Sequence, residues 1–377
     1  MLYRKFGKTG VEVSALGFGA MRLPIIGGKF DRIDEKATEA MLKYAIENGV
    51  NYVDTAYVYH GGMSEKVLGK ILGKNLRKKI NLATKLPTFI INERKDMDRY
   101  LNEQLERLKT DHIDFYLMHG LDKDRWNTMK DLGILEFIDT ALKDGRIKHA
   151  GFSYHDEPEN FKEIIDSYDW DFCQIQLNYM DTEYQAGLEG LRYAAKKGLG
   201  ISIMEPLKGG QLTGTIPPAV DKIWAKATMK RTPVEWGLRF VWDYPEVNVV
   251  LSGMSNLEQV KENVKLADSA KPRSLTKKEK GLYGEVKDAY KKLVAVDCSD
   301  CKYCMPCPSG VDIPGNFRML NNAAMFGSAE TMKMVYKMYM PENERASNCA
   351  KCGECEEKCP QHLPIKEKLE EVAKTLG

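Results

Sequence analysis

Asp54, Tyr59, Lys85 and His119 are side chains that could together reduce a carbonyl group. Such a reduction delivers a hydride to carbon and a proton to oxygen. A free tyrosine has a pKa near ~10 and exchanges protons poorly at neutral pH. A lysine ammonium beside it favours the phenolate and lowers that value. A histidine can orient the carbonyl or relay the proton. An aspartate can pair with the lysine and hold it in place.

A second set of residues implies a different chemistry. Of nine cysteines, Cys173 stands alone and the other eight lie between 298 and 359. They form two runs, Cys298-x2-Cys301-x2-Cys304-x2-Cys307-Pro308 and Cys349-x2-Cys352-x2-Cys355-x3-Cys359-Pro360. Three thiolates at this spacing can wrap one cubane and reach three of its irons. Zinc is the alternative, but it takes four thiolates, usually from two separated C-x2-C knuckles. A single cluster in the second run is another. A disulfide framework is disfavoured, because the cytosol keeps thiols reduced.

The elements that must position the first set read as alternating strands and helices. Strand candidates are Ala15–Gly19, Tyr52–Asp54, Asn81–Lys85, Ile113–His119, His149–Ser153, Phe172–Leu177, Gly200–Met204 and Asn248–Ser252. Between them lie amphipathic runs such as Glu35–Asn48, Arg94–Leu108, Pro158–Ser167, Leu188–Lys197 and Asn256–Ala267. Gly49, Gly145 and Gly198 follow helical runs, where a left-handed cap is wanted. Strict alternation implies parallel strands, and eight units in this length imply a (β/α)8 TIM barrel. Asp54, Lys85 and His119 then end the second, third and fourth strands, on the face where such barrels keep their chemistry. Leu2–Ser14 reads as a hairpin that could plug the other end. The expected division is barrel over 1–270, a Lys-rich helical connection over 271–296, and a smaller, mainly α-helical iron–sulfur domain over 297–377. Met325, Met332, Met334, Met338 and Met340, between the cysteine runs, read as helical core filler.

The chain has 377 residues, 43% hydrophobic and 29% charged, with a formal net charge of +2. That balance gives no electrostatic reason to expect nucleic acid or an anionic membrane as partner. No run approaches the ~18–20 apolar residues that span a bilayer, and the N-terminus lacks a signal-peptide core. A cytoplasmic protein is expected.

Asp54-Thr-Ala-Tyr-Val-Tyr59-His-Gly-Gly-Met-Ser-Glu65, Ala83-Thr-Lys85 and Tyr116-Leu-Met-His119 resemble the signature stretches of the aldo-keto reductases. The resemblance extends over roughly residues 1–270. It implies Asp54, Tyr59, Lys85 and His119 as a catalytic tetrad with Tyr59 as general acid. It also implies NADP(H) or NAD(H) bound across the barrel mouth. Gly19 and Met21 would contact it after the first strand, and Ser153 and Gln174 would hold the carboxamide. Leu207, Gly209 and Gly210 would cradle the pyrophosphate. Gly253, Ser255, Gln259 and Asn263 would hold the adenosine end. Two departures stand out: Tyr154 follows Ser153 where the family often has Asn, and Gly253 and Gln259 stand where many NADPH-using members carry Lys and Arg. His60, Tyr57, Trp126 and Tyr154 read as lining a substrate pocket, and His155 as a substrate contact. His112, His149 and His362 read as structural and Cys173 as a buried apolar residue.

The second cysteine run matches the bacterial ferredoxin pattern, in which the fourth Cys of each run serves the other cluster. This assigns one [4Fe–4S] cluster to Cys298, Cys301, Cys304 and Cys359. The other falls to Cys349, Cys352, Cys355 and Cys307. The expected function is NAD(P)H-dependent reduction of an aldehyde or ketone, or the reverse, with a small carbonyl or alcohol as substrate. A ferredoxin or flavin-type electron-transfer partner is expected for the clusters. A nicotinamide-binding redox sensor and an electron-transfer protein with a scaffold barrel are the alternatives from other classes. The full tetrad argues against a sensor, which has no need of a proton donor.

Overall fold

The computed structural model describes residues 1–377. The chain divides into two compact units, one of Met1–Gly209 and Thr232–Leu275, the other of Gly210–Arg231 and Thr276–Gly377. Where the sequence reading keeps everything to residue 270 in the barrel, residues 210–231 cluster with the C-terminal unit.

The first unit opens with an antiparallel hairpin, β1 (Tyr3–Lys5) and β2 (Glu12–Ser14). Eight parallel strands follow: β3 (Leu16–Gly19), β4 (Tyr52–Asp54), β5 (Asn81–Leu86), β6 (Ile113–Leu121), β7 (Ile147–Tyr154), β8 (Phe172–Gln176), β9 (Gly200–Met204) and β10 (Val249–Ser252). They close in sequence order, with β10 pairing both β9 and β3. The crossovers carry α1 (Glu35–Glu47), α2 (Met63–Arg77), α3 (Arg94–Leu108), α4 (Lys123–Asp131), α5 (Ile134–Lys143), α6 (Pro158–Asp166) and α7 (Gly187–Lys196). In the second unit is α8 (Pro218–Trp224); α9 (Pro233–Trp242) and α10 (Leu257–Ala267) return to the first.

The start of α1 is fixed by Asp34, whose side chain accepts from the Ala37 N–H at 3.0 Å. Gly49, Gly145 and Gly198 adopt φ of 95°, 81° and 81°, the left-handed conformation that glycine reaches without steric cost.

Side chains alternate across each strand. One face of the barrel strands therefore supplies a shared apolar layer of Tyr52, Ala83, Phe115, Leu117, Phe172, Val249 and Leu251. The hairpin adds Phe6 and Val13 to it. The Phe6 ring sits edge-on to Phe115 at 4.9 Å and to Tyr52 at 5.7 Å. A Cβ on Gly200 would lie 2.7 Å from that ring, so glycine is what leaves room for the plug.

The second unit continues with α11 (Lys277–Lys291), α12 (Ile313–Phe326), α13 (Ala329–Tyr339), α14 (Glu354–Glu357) and α15 (Ile365–Leu376). A capping box at Thr276 and Glu279 opens α11, and Trp224 of α8 meets Tyr283 edge-on at 5.2 Å. Phe317, Leu320, Met332, Tyr336, Leu369 and Val372 form its core. Asn316 is fully buried; it donates to Glu344 O at 2.9 Å and accepts from Tyr336 Oη at 2.6 Å and Ala346 N at 2.9 Å.

The methionine expectation is corrected in part. Met332 and Met340 are buried, but Met334 and Met338 are 64% and 61% exposed. Helical spacing is the reason: Met334 and Met338, four residues apart, share the face of α13 opposite Met332 and Tyr336. No helix is long and apolar enough to cross a membrane.

Phe6→Ala is expected to cost ~3–5 kcal/mol, because it empties a cavity at the closed end of the barrel. Chemical denaturation monitored at the barrel measures it, and a loss below about 1 kcal/mol would mean the hairpin is not a plug.

Candidate functional site

The same alternation that builds the apolar layer lifts the polar residues one layer above it. Asp54 follows Tyr52 by two residues, Lys85 follows Ala83, and His119 follows Leu117. The β4–β5 register sets Asp54 opposite Ala83, so Lys85 reaches back toward the carboxylate from the next inward position. Its Nζ donates to both carboxylate oxygens of Asp54 at 2.8 Å, to Thr55 O at 2.8 Å and to Tyr59 Oη at 3.3 Å. The pair is almost fully sealed, with side-chain exposures of 0% for Lys85 and 4% for Asp54. Burial alone would lower the Lys85 pKa; Asp54, and then Tyr59, outweigh it and the net direction is up. Lys85 therefore stays an ammonium beside the Tyr59 hydroxyl. The rings of Tyr59 and His119 stand 6.1 Å apart, nearly perpendicular. Burial, then the Lys85 charge, hold His119 well below the usual imidazole pKa, so the ring is neutral at neutral pH. Its shielded Nδ1 has no hydrogen-bond partner.

Tyr59 is held by an uncommon backbone. The next three residues, His60, Gly61 and Gly62, all have positive φ, of 53°, 62° and 85°. Left-handed geometry is unfavourable for a residue with a side chain, so His60 needs compensation. Its Nε2 accepts from Leu23 N at 3.2 Å, which leaves Nδ1 as the donor to Phe30 O at 2.7 Å. The ring also stacks on Phe30 at 4.5 Å.

Behind Lys85 lies a network that the sequence reading missed. Glu65 is buried and accepts from Thr84 Oγ1 at 2.6 Å and Gln104 Nε2 at 2.7 Å. Gln104 Nε2 also donates to the Lys85 carbonyl at 3.0 Å. Arg107 reaches Glu65 at 3.3 Å. One signal was available: Gln104 falls in the buried stripe of α3 with Met97, Leu101 and Leu108, a polar residue among apolar ones.

The pocket expectations are corrected at three positions. His60 is buried and spent on the loop bonds above. Trp126 lies in α4, buried against Trp170 at 6.0 Å. Tyr154 belongs to β7 with the opposite facing to Ser153, and packs on Phe161 at 4.9 Å. Tyr57 donates to Glu103 at 3.0 Å and lies under the Arg107 guanidinium at 3.9 Å. His155 is exposed at the end of β7. Cys173 is buried, and His149 stacks on Phe115 at 5.0 Å.

The cofactor candidates occupy strand ends and the loops after them. Gly19 ends β3, and Met21 is 38% exposed in the turn that follows. Ser153 Oγ accepts from Gly120 N at 2.7 Å. Gln174 is buried, with Ser202 Oγ at 3.5 Å from its Oε1. Leu207 packs into the space left open by Gly237. Gly209 and Gly210 have φ of 64° and 92°. Ser255 N donates to Gln259 Oε1 at 2.7 Å. Asn263 is buried and donates to Ser252 Oγ at 2.8 Å, which makes it a brace for the end of β10.

The two cysteine runs share one backbone path. In each, the residues flanking the second Cys have positive φ: Asp300 and Lys302 in the first, Lys351 and Gly353 in the second. Three residues beyond each Cys-Pro cysteine the backbone is left-handed again, at Gly310 and His362, whose N–H groups donate back to Cys307 O and Cys359 O. Six residues beyond it a helix begins, α12 and α15. The extra residue of the second run is taken up in α14. Cys298 is raised first by burial, and the charges of Cys301 and Cys359 also act on it. Burial likewise pushes Cys304 up to about 11, with contributions from Cys298 and Cys355. Burial, and then the charge of Glu356, raise Cys355, with lesser contributions from Cys349 and Cys352. No three ligand side chains close tightly enough to hold a lone metal ion. Cys301 and Cys352 are exposed. The donor set fits iron–sulfur centres: two runs of free thiols, each with the same left-handed backbone turns.

Asp54→Asn is expected to cost ~3–5 kcal/mol, because it strands a buried ammonium. Asp54→Asn with Lys85→Met should cost less than the sum of the single changes; strict additivity in a double-mutant cycle would mean the pair is not coupled.

The aldo/keto reductase family matches residues 15–277, and a 4Fe–4S dicluster domain matches residues 297–363. The chain is 30% identical over 235 residues to YrpG, an uncharacterised oxidoreductase of Bacillus subtilis, covering 57% of this chain and 69% of the relative. It is 29% identical to L-galactose dehydrogenase of Arabidopsis thaliana, covering 69% of this chain and 86% of that protein. Among solved structures it resembles the holo form of aldo-keto reductase AKR11C1 from Bacillus halodurans, with TM-score 0.64 and 26% identity over 76% of this chain and 96% of the other. The chain belongs to the aldo/keto reductase family of NAD(P)-dependent oxidoreductases and carries a C-terminal 4Fe–4S domain.

Proposed function

We propose that this protein reduces an aldehyde or ketone with NADPH or NADH, or runs the reverse oxidation, and that Tyr59 is the general acid. The observation that carries this reading is the Lys85 ammonium, clamped by Asp54 at 2.8 Å and held 3.3 Å from the Tyr59 hydroxyl. Bound nicotinamide supplies or accepts the hydride. Tyr59 gives its proton to the carbonyl oxygen, and Lys85 stabilises the phenolate left behind. Neutral His119 orients the carbonyl from the opposite side. Asp54 is a positioning residue, since it acts through Lys85. Ser153 and Gln174 would hold the carboxamide; Gly19, Met21, Leu207, Gly209 and Gly210 would line the path to the phosphates; and Gly253, Ser255 and Gln259 would meet the adenosine end. The name of one relative, L-galactose dehydrogenase, supports the oxidising direction.

In the C-terminal domain, Cys298, Cys301, Cys304 and Cys359 would hold one [4Fe–4S] cluster and Cys349, Cys352, Cys355 and Cys307 the second. The match of the second run to the ferredoxin spacing, in which the fourth Cys serves the other cluster, supports this crossed assignment. A hydride carries two electrons and a cubane exchanges one, so the clusters need a ferredoxin- or flavin-type partner to serve in turnover. The exposure of Cys301 and Cys352 supports electron exchange at the surface. The protein would act in the cytoplasm on a small carbonyl or alcohol.

Tyr59→Phe is expected to lower turnover by roughly 100-fold or more while nicotinamide still binds, as for loss of a general acid. Unimpaired turnover would remove Tyr59 from that role. After anaerobic purification, about eight irons and eight acid-labile sulfides per chain are expected for two cubanes. About four of each would leave a single cluster, and zinc in their place would overturn the assignment.

A further inference from the structure

We propose that Arg22 grips a phosphate of the nicotinamide dinucleotide and thereby sets how tightly the cofactor binds. The inference rests on the dinucleotide reading above and adds a residue to it.

Strands β9, β10 and β3 are neighbours in the barrel, so the loops after them meet at its C-terminal rim. Arg22 closes the short turn Ala20–Arg22 after β3. Its side chain lies across the loop after β10: its Cβ, Cγ and Cδ are 3.4, 3.3 and 3.2 Å from where a Cβ on Gly253 would stand. Its Nη2 then reaches the loop after β9, 3.1 Å from the corresponding place on Gly209. One cation thus spans two of the loops assigned to the dinucleotide. Gly253 is what permits this course, since a side chain there would displace the arginine stem. The arginine's backbone is fixed as well, because Ser255 Oγ donates to Arg22 O at 2.9 Å.

The guanidinium is exposed and forms no ion pair. Lys208, in the loop after β9, is committed to both carboxylate oxygens of Asp181, at 3.0 and 2.7 Å. Glu205 feels the charges of Lys208 and Arg22, but burial is the larger influence and raises its pKa. Position 253 and position 259 bring no positive charge of their own. Arg22 supplies it from the opposite end of the sequence. A planar guanidinium matches two phosphate oxygens at once, and an anion beside Gly209 meets backbone unobstructed by a side chain.

The test is equilibrium binding of NADPH, NADH and 2′,5′-ADP to the full-length chain and to Arg22→Met, which keeps the apolar stem over Gly253. Arg22→Met is expected to weaken NADPH roughly 10- to 100-fold, as for loss of a charged hydrogen-bond donor. Arg22→Lys should recover part of the loss. A loss confined to NADPH and 2′,5′-ADP places the grip on the 2′-phosphate; an equal loss for NADPH and NADH places it on the pyrophosphate. Either supports the proposal. Unchanged affinity for both cofactors overturns it. If the unaltered chain binds neither cofactor, the dinucleotide reading itself fails, and that result is distinct.

Discussion

A buried ion pair is the constraint on which the barrel's chemistry depends. Lys85 and Asp54 are almost wholly removed from water, and each would be costly alone. Burying the pair restricts every neighbour. Tyr52, Ala83 and Leu117 fill the layer below, and the β4–β5 register must hold the two side chains in line. Gln104 and Glu65 fix the strand from behind through the Lys85 carbonyl. In return the ammonium has one direction left open, toward Tyr59. The pair contributes little to stability by itself; what it fixes is where a positive charge stands.

The eight barrel strands were legible because each is a short apolar run bounded by helical segments, and the tetrad because three of its members close such runs. Less visible were contacts set by facing. Tyr154 follows Ser153 directly, and a period of two sends neighbouring side chains to opposite faces, one toward the barrel and one into the helical layer. Trp126 reads as a mouth-loop residue from sequence, yet it lies in α4 and packs on Trp170. Gln104 carried a signal, but a polar residue in an apolar stripe does not reveal its partner. Arg22 carried none, since its contact with Ser255 joins residues 233 positions apart.

The two cysteine segments show how far a short pattern can fix a backbone. Matched left-handed residues recur at the same offsets although the side chains differ: Asp300 against Lys351, Lys302 against Gly353, Gly310 against His362. Non-glycine residues at most of these places accept local strain, and they do so at the same offsets in both runs. The stretch between the runs is tied down separately, by the bonds of buried Asn316. Its length can therefore exceed what cluster binding alone requires.

The hairpin at the start of the chain has a kinetic meaning as well as a packing one. With Phe6 seated among Tyr52, Phe115 and Phe172, the barrel is stoppered at its N-terminal end. Phe6 can take that place only once strands as distant in sequence as β8 have come together, because Phe172 is one of its partners. The first segment of the chain to be made is therefore among the last to be seated.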